Sequence, residues 1–148
     1  MSILVNKIEI SDEEIGREMQ YHPAKTQETA WHLAAQALVI RQLFLQQAAE
    51  NGLYDADPVT SKDREEEVID QLLEQDVTVP EADEATCLRF YDNRPDSFID
   101  KKSGERQSFT QAQTQIRDYL HTKAMRIAVA EYIKALSHNA VIKGFDLL

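Results

Sequence analysis

Residues 26–51, TQETAWHLAAQALVIRQLFLQQAAEN, contain neither glycine nor proline and are dominated by Ala, Leu and Gln, all good helix formers. Apolar residues at Ala30, Leu33, Ala34, Ala37, Leu38, Ile40, Leu43, Phe44, Leu45 and Ala48 recur at helical spacing over a broad face. The stretch therefore predicts a long, largely buried helix over about 26–51. Gly52 stands where a left-handed residue ends such a helix. Leu53 and Tyr54 then lead into a polar loop holding Asp57-Pro58.

Working outward, the same logic finds a second long helix. Ser108 and Gln111 have capping-box spacing, and the chain runs on without Gly or Pro through Phe109, Ile116, Tyr119, Leu120, Ile127, Tyr132 and Leu136. This predicts a helix over about 109–137, ended by Asn139, a residue that tolerates the left-handed conformation. Three shorter helices are expected. Ser11 and Glu14 form a capping box for a helix from Asp12 to Tyr21, stopped by His22-Pro23. Asp63 and Glu66 repeat that spacing ahead of Val68, Ile69, Leu72 and Leu73, in a helix ending near Gln75. An acidic start at Glu81 to Glu84 precedes Ala85, Leu88, Phe90 and Tyr91, in a helix that Pro95 terminates.

The two ends read differently. Ile3 to Ile10 and Ala140 to Asp146 are short and β-like, and a lone strand leaves its backbone groups unpaired. We expect one short strand at each end, paired antiparallel, residues 3–9 against 140–146. The fold class is thus mainly α, about five helices in a single domain over 1–148, closed by its terminal strands. The polar run 99–107 is the best candidate for an exposed loop.

Composition narrows function. The chain has 148 residues, 16 Lys+Arg against 26 Asp+Glu, and a formal net charge of −10. That is enough chain for a real core, and its acidity argues against nucleic acid as a partner. Residues 1–98 hold 8 Lys+Arg and 21 Asp+Glu, while residues 99–148 hold 8 and 5. No apolar run approaches a membrane span and no basic leader opens the sequence, so the expectation is a cytoplasmic protein with no membrane partner. A single Cys87 fits a reducing compartment.

Catalytic chemistry finds little support. The histidines at 22, 32, 121 and 138 lack ligand spacing, and Cys87 has no Cys-x-x-Cys partner, so no metal is expected. The four glycines stand singly, so no phosphate loop and no cofactor is expected. Glu65-Glu66-Glu67 and Asp83-Glu84 fall in first turns of predicted helices, where carboxylates suit the helix dipole. Cys87 reads as a packed thiol. The aromatics Trp31, Phe44, Tyr54, Phe90, Tyr91 and Phe98 have two uses, core packing or the paving of an apolar groove for an unfolded peptide.

Taken in order, several segments resemble the helical, chaperone-like part of the parvulin-type peptidylprolyl isomerases, the group of SurA, PrsA and NifM. They are Val5-Asn6-Lys7-Ile8-Glu9-Ile10-Ser11, Leu38 to Leu43, Gln47 to Leu53, Val77-Thr78-Val79-Pro80, Tyr91-Asp92-Asn93-Arg94-Pro95-Asp96-Ser97-Phe98, Ile116 to Leu120, Ala130 to Leu136, and Ala140 to Gly144. In that family the catalytic domain follows the Asn-x-x-x-x-Phe pattern, here Asn93 to Phe98. Only residues 99–107 occupy its place, too few for a folded unit. The resemblance therefore implies a SurA N-domain-like chaperone module without its isomerase, and carries over no catalytic residue.

What it implies is a non-catalytic chaperone or assembly factor that binds incompletely folded client protein. By the same resemblance the client is a metalloenzyme under maturation, such as one like nitrogenase or nitrate reductase. Binding is expected in an apolar groove between the two long helices, rimmed by acidic residues. The competing reading is an adaptor for one folded partner. A homodimer, including one that exchanges a long helix, is compatible with either.

Overall fold

The computed structural model describes residues 2–54 and 62–147, with Lys62 and Asp63 described by their backbone alone. Among them the chain is mainly helical: α1 (Asp12–Glu18), α2 (Gln27–Glu50), α3 (Lys62–Asp76), α4 (Glu84–Asp92) and α5 (Phe109–His138). Three short strands, β1 (Ile3–Val5), β2 (Ile8–Ile10) and β3 (Ile142–Lys143), form an antiparallel sheet in the order β2-β1-β3. The expected Asp57-Pro58 loop and the Asp63 side chain lie outside the described residues. No helix among the described residues is long and apolar enough to cross a membrane.

The helix ends follow their local chemistry. Ser11 Oγ accepts from the Glu14 N–H while Glu14 Oε2 accepts from the Ser11 N–H at 2.7 Å, so two orphan donors of α1 are satisfied. Residues 19–21 continue α1 only as a tighter 3₁₀ turn. Thr26 caps α2, Asp83 caps α4, and Ser108 with Gln111 closes the box that opens α5. At the end of α2, Leu53 N–H donates to Ala48 O and Gly52 N–H to Ala49 O, with Gly52 at φ +76°. That pairing satisfies the last carbonyls and needs a residue without a Cβ penalty. Asn139 does not take the left-handed form expected of it: its φ is negative, and Ala140 N–H instead bonds Ser137 O.

The expectation of a single N-terminal strand is corrected. The chain reverses at Asn6 and Lys7, both at positive φ (50° and 74°), so that Val5 faces Ile8 and Ile3 faces Ile10. Such a two-residue turn matches the twist of the strands it joins. The reason lies in Asn6, whose side-chain carbonyl accepts from Val141 N–H at 2.8 Å and whose amide donates to Gln46 at 2.9 Å. The pairing of the two chain ends is present: Leu4 faces Lys143 and Val5 faces Ile142.

The chain packs into two compact units, Met1–Val77 with Ala130–Leu148, and Thr78–Val129. In the first, Ile3, Val5 and Ile10 of the sheet and Ile15 of α1 are buried with Ala34, Ala35, Val39 and Leu43 of α2. The helix α3 packs on α2, with Val68 and Leu72 buried. Arg41 on α2 ties the pair by donating to Glu65 at 3.0 Å and Glu66 at 2.7 Å. In the second unit Cys87, Ala112 and Ile116 are buried among Phe90, Tyr91, Phe98, Phe109 and Leu120. Counted on the sequence, this unit holds 8 Lys+Arg and 8 Asp+Glu, so the chain's entire net charge of −10 belongs to the first unit.

A hydrogen bond joins the last turn of α3 to α5 within the first unit. Tyr132 donates its hydroxyl to Asp76 Oδ2 at 2.6 Å and stacks on Phe44 with ring centroids 6.2 Å apart. Burial, then the hydrogen bond and charge of Asp76, raises the Tyr132 phenol well above the ordinary tyrosine range. The folded chain thus holds this proton more tightly than the unfolded chain. The stabilisation is complete below the unfolded value of about 10 and is lost as pH rises beyond it. Tyr132→Phe is expected to cost about 1 kcal/mol near neutrality in urea unfolding. The gap from the wild type should close above about pH 10; a gap that widens there would contradict the assignment.

Candidate functional site

The second unit carries an open groove of about 670 Å³. Its floor and walls come from α4 (Phe90, Arg94), the segment after it (Ser97, Phe98, Ile99, Asp100, Lys101, Gln107) and the first turns of α5 (Gln115, Ile116, Tyr119). Every helix here starts and stops for a local reason. The C-cap Asn93 closes α4, Pro95 prevents its continuation, and a turn follows in which Ser97 N–H donates to Arg94 O at 3.1 Å.

Aromatic rings build the groove. Phe90 lies 6.2 Å from Phe98 and 5.4 Å from Tyr119, both tilted, while Tyr91 stacks on Phe98 at 5.7 Å and meets Phe109 edge-on. Such contacts add to simple area burial. Phe98 sits at φ +66°, a left-handed conformation costly for a bulky residue, and is held there by Gln107 N–H donating to its carbonyl at 2.8 Å. The groove also keeps apolar surface in water: Ile99 is 46% exposed and Tyr119 50%.

The run 99–107 is exposed for most of its length and is also ordered. Ile99 bridges Arg106, Asp100 N–H donates to Glu105 O at 2.8 Å, and Phe98 and Gln107 meet at its base, making a closed hairpin. Arg106 secures it. Its guanidinium donates to the carbonyls of Tyr91 (2.6 Å), Arg94 (2.9 Å) and Ser97 (3.2 Å) and lies 3.7 Å over the Tyr91 ring. Tyr91 in turn donates its hydroxyl to Gln107 O.

Of the aromatics singled out in the sequence, Phe90, Tyr91 and Phe98 are brought together here. Trp31 is half-buried on the first unit's core, 6.4 Å from Phe145. Phe44 is buried against Tyr132 in the same unit. At 1.5 Å per residue, Trp31 and Phe44 stand about 20 Å apart along α2 and share no surface. Tyr54 follows α2, half-buried, its phenol raised first by burial and then by the charge of Glu65.

Arg94, Ile99, Ile116 and Tyr119 belong to the groove and were not singled out. Tyr119 was visible in the sequence as an aromatic on a helix, but nothing local says that it faces Phe90. This groove lies between α4, the hairpin and the start of α5, not between the two long helices where an acidic-rimmed one is expected. Its charged residues are Arg94, Lys101 and Asp100, because the acidic excess of the chain lies in the other unit. Cys87 is fully buried beneath the cluster, its thiol near Ala82 O. Among the described residues no group of His, Cys, Asp and Glu could hold a metal. No protein-family model, no curated protein and no solved structure matches this chain.

Proposed function

We propose that this protein is a non-catalytic chaperone or assembly factor that holds incompletely folded client chains in the aromatic groove of its second unit. The observation that carries the reading is a ring-lined groove that keeps two large apolar residues, Ile99 and Tyr119, about half exposed along one continuous concave surface. Adaptable apolar contact of this kind suits extended segments of varied sequence better than one small ligand.

The resemblance to SurA, PrsA and NifM points the same way, and the hairpin base adds to it. Where those proteins carry an isomerase domain, Phe98 and Gln107 are hydrogen-bonded neighbours on an exposed loop. Loops with adjacent ends are where domain insertions are tolerated. On this reading the client is a metalloenzyme under maturation, and the compartment is the cytoplasm.

The test is suppression of aggregation of a chemically denatured model protein at stoichiometric amounts. Wild-type protein should suppress it. Tyr119→Ala, which removes an exposed ring and leaves the buried cluster intact, should lose most of the effect with an unchanged unfolding midpoint. Binding to one native partner without affinity for denatured chains would instead establish the adaptor reading.

A further inference from the structure

The polar equipment of the groove selects among client segments. Arg94 holds its guanidinium carbon 3.8 Å from the centre of the Phe90 ring, a cation–π contact that keeps the group against the groove wall. It forms no ion pair among the described residues, so the edge of its planar fork is available to a ligand. Lys101 lines the same groove. The opposing charge, Asp100, is partly engaged within its own hairpin, where one carboxylate oxygen accepts from Lys102 N–H at 2.8 Å. The side-chain amides of Gln107 and Gln115 border the apolar floor and offer donors and acceptors to an extended backbone.

We infer that the groove takes an extended client segment in which a large apolar side chain lies within a residue or two of a carboxylate. The apolar side chain rests on the exposed Ile99 and Tyr119, and the carboxylate meets the fork of Arg94 with Lys101 beside it. A guanidinium already immobilised on a ring binds a carboxylate with little further ordering, and its geometry favours two parallel hydrogen bonds. Selection by sign is also consistent with the charge distribution. The acidic excess of the chain lies in the other unit, and charges farther off than a Debye length of about 8 Å are screened at physiological salt, so for a short segment with one or two carboxylates the local cations decide.

This inference rests on the chaperone reading, and one experiment separates the two. Two fluorescein-labelled peptides share a central Leu-Phe pair and differ in the two residues that follow, Asp-Glu in one and Lys-Lys in the other. Their binding to the full chain is followed by anisotropy at low and at high salt. The acidic peptide should bind more tightly than the basic one, and the preference should shrink with salt. Arg94→Gln should weaken the acidic peptide by about fivefold, with the basic peptide unchanged or improved. Equal binding of both peptides, or tighter binding of the basic one, overturns the inference and leaves the chaperone reading standing. Binding of neither overturns both.

Discussion

Replacing Arg106 with alanine is expected to destabilise the second unit by about 3 kcal/mol. One side chain here serves four partners: the carbonyls of Tyr91, Arg94 and Ser97 and the face of the Tyr91 ring. A hydrogen bond to a charged group contributes about 1.5–3 kcal/mol. Without Arg106 the carbonyls of Tyr91 and Arg94 keep only their backbone donors, Arg94 N–H and Ser97 N–H, and Ser97 O loses the guanidinium that binds it. The stack on Tyr91 adds about 0.5–1 kcal/mol. Lysine does not rescue the loss, because a single ammonium cannot span three carbonyls while lying flat on a ring. The chain supplies its own reporters. Trp31 is its one tryptophan and belongs to the first unit, whereas Cys87 is fully buried in the second. Labelling of Cys87 by a thiol reagent should therefore accelerate on the order of a hundredfold in the variant. An unchanged labelling rate would show that Arg106 holds nothing in place. With the hairpin loosened, Phe98 and Ile99 leave the groove, so client binding should fall together with Cys87 protection.

What was legible in the sequence was the part governed by near neighbours. Ser11 with Glu14, Ser108 with Gln111, and Gly52 after Ala48-Ala49-Glu50-Asn51 act within one helical turn, and the helix ends they imply are where the chain places them. The turn at Asn6-Lys7 was missed because Asn-Lys lacks the glycine that usually marks a tight hairpin. What forces it are partners at Gln46 and Val141, far along the chain. Arg106 escaped notice for the same reason. In a run of Lys, Ser, Gly, Glu and Gln it reads as one more solvated charge, and its targets are carbonyls, which no side-chain pattern reveals. The groove was half legible: Phe90, Tyr91 and Phe98 are three of the six aromatics that the sequence offers for a groove, but their partners Ile116 and Tyr119 read as ordinary positions on a long helix. The charge asymmetry was real but cut in the wrong place. Dividing the sequence near residue 98 splits the second unit in two, and only the packed unit reveals itself as neutral.

The same contrast between local and distant causes gives opposite signs for one substitution at two glycines. At Gly144 the backbone has φ +84°, and an added Cβ would stand 2.9 Å from the Ser2 carbonyl oxygen and 3.6 Å from Ile3 Cα. Both obstacles are backbone, one of the first residue of β1 and one of the residue just before it, so neither can turn aside like a flexible side chain. The left-handed conformation alone costs a non-glycine residue about 1–2 kcal/mol. Relieving the contact means shifting the pairing of β1 with β3, and we expect Gly144→Ala to lose about 2–3 kcal/mol in all. At Gly16, inside α1, the added Cβ meets nothing within 4 Å and the backbone is already helical. Gly16→Ala should therefore gain about 0.5–1 kcal/mol. Urea unfolding followed at Trp31, which packs on the core beneath the sheet, reads both variants with one probe. Hydrogen exchange then locates the loss: in Gly144→Ala the Asn6 and Val141 amides, which tie the hairpin turn to the C-terminal segment, should exchange faster. If Gly144→Ala were neutral, the two ends of the chain would not be fastened by the close approach of Gly144 to Ser2.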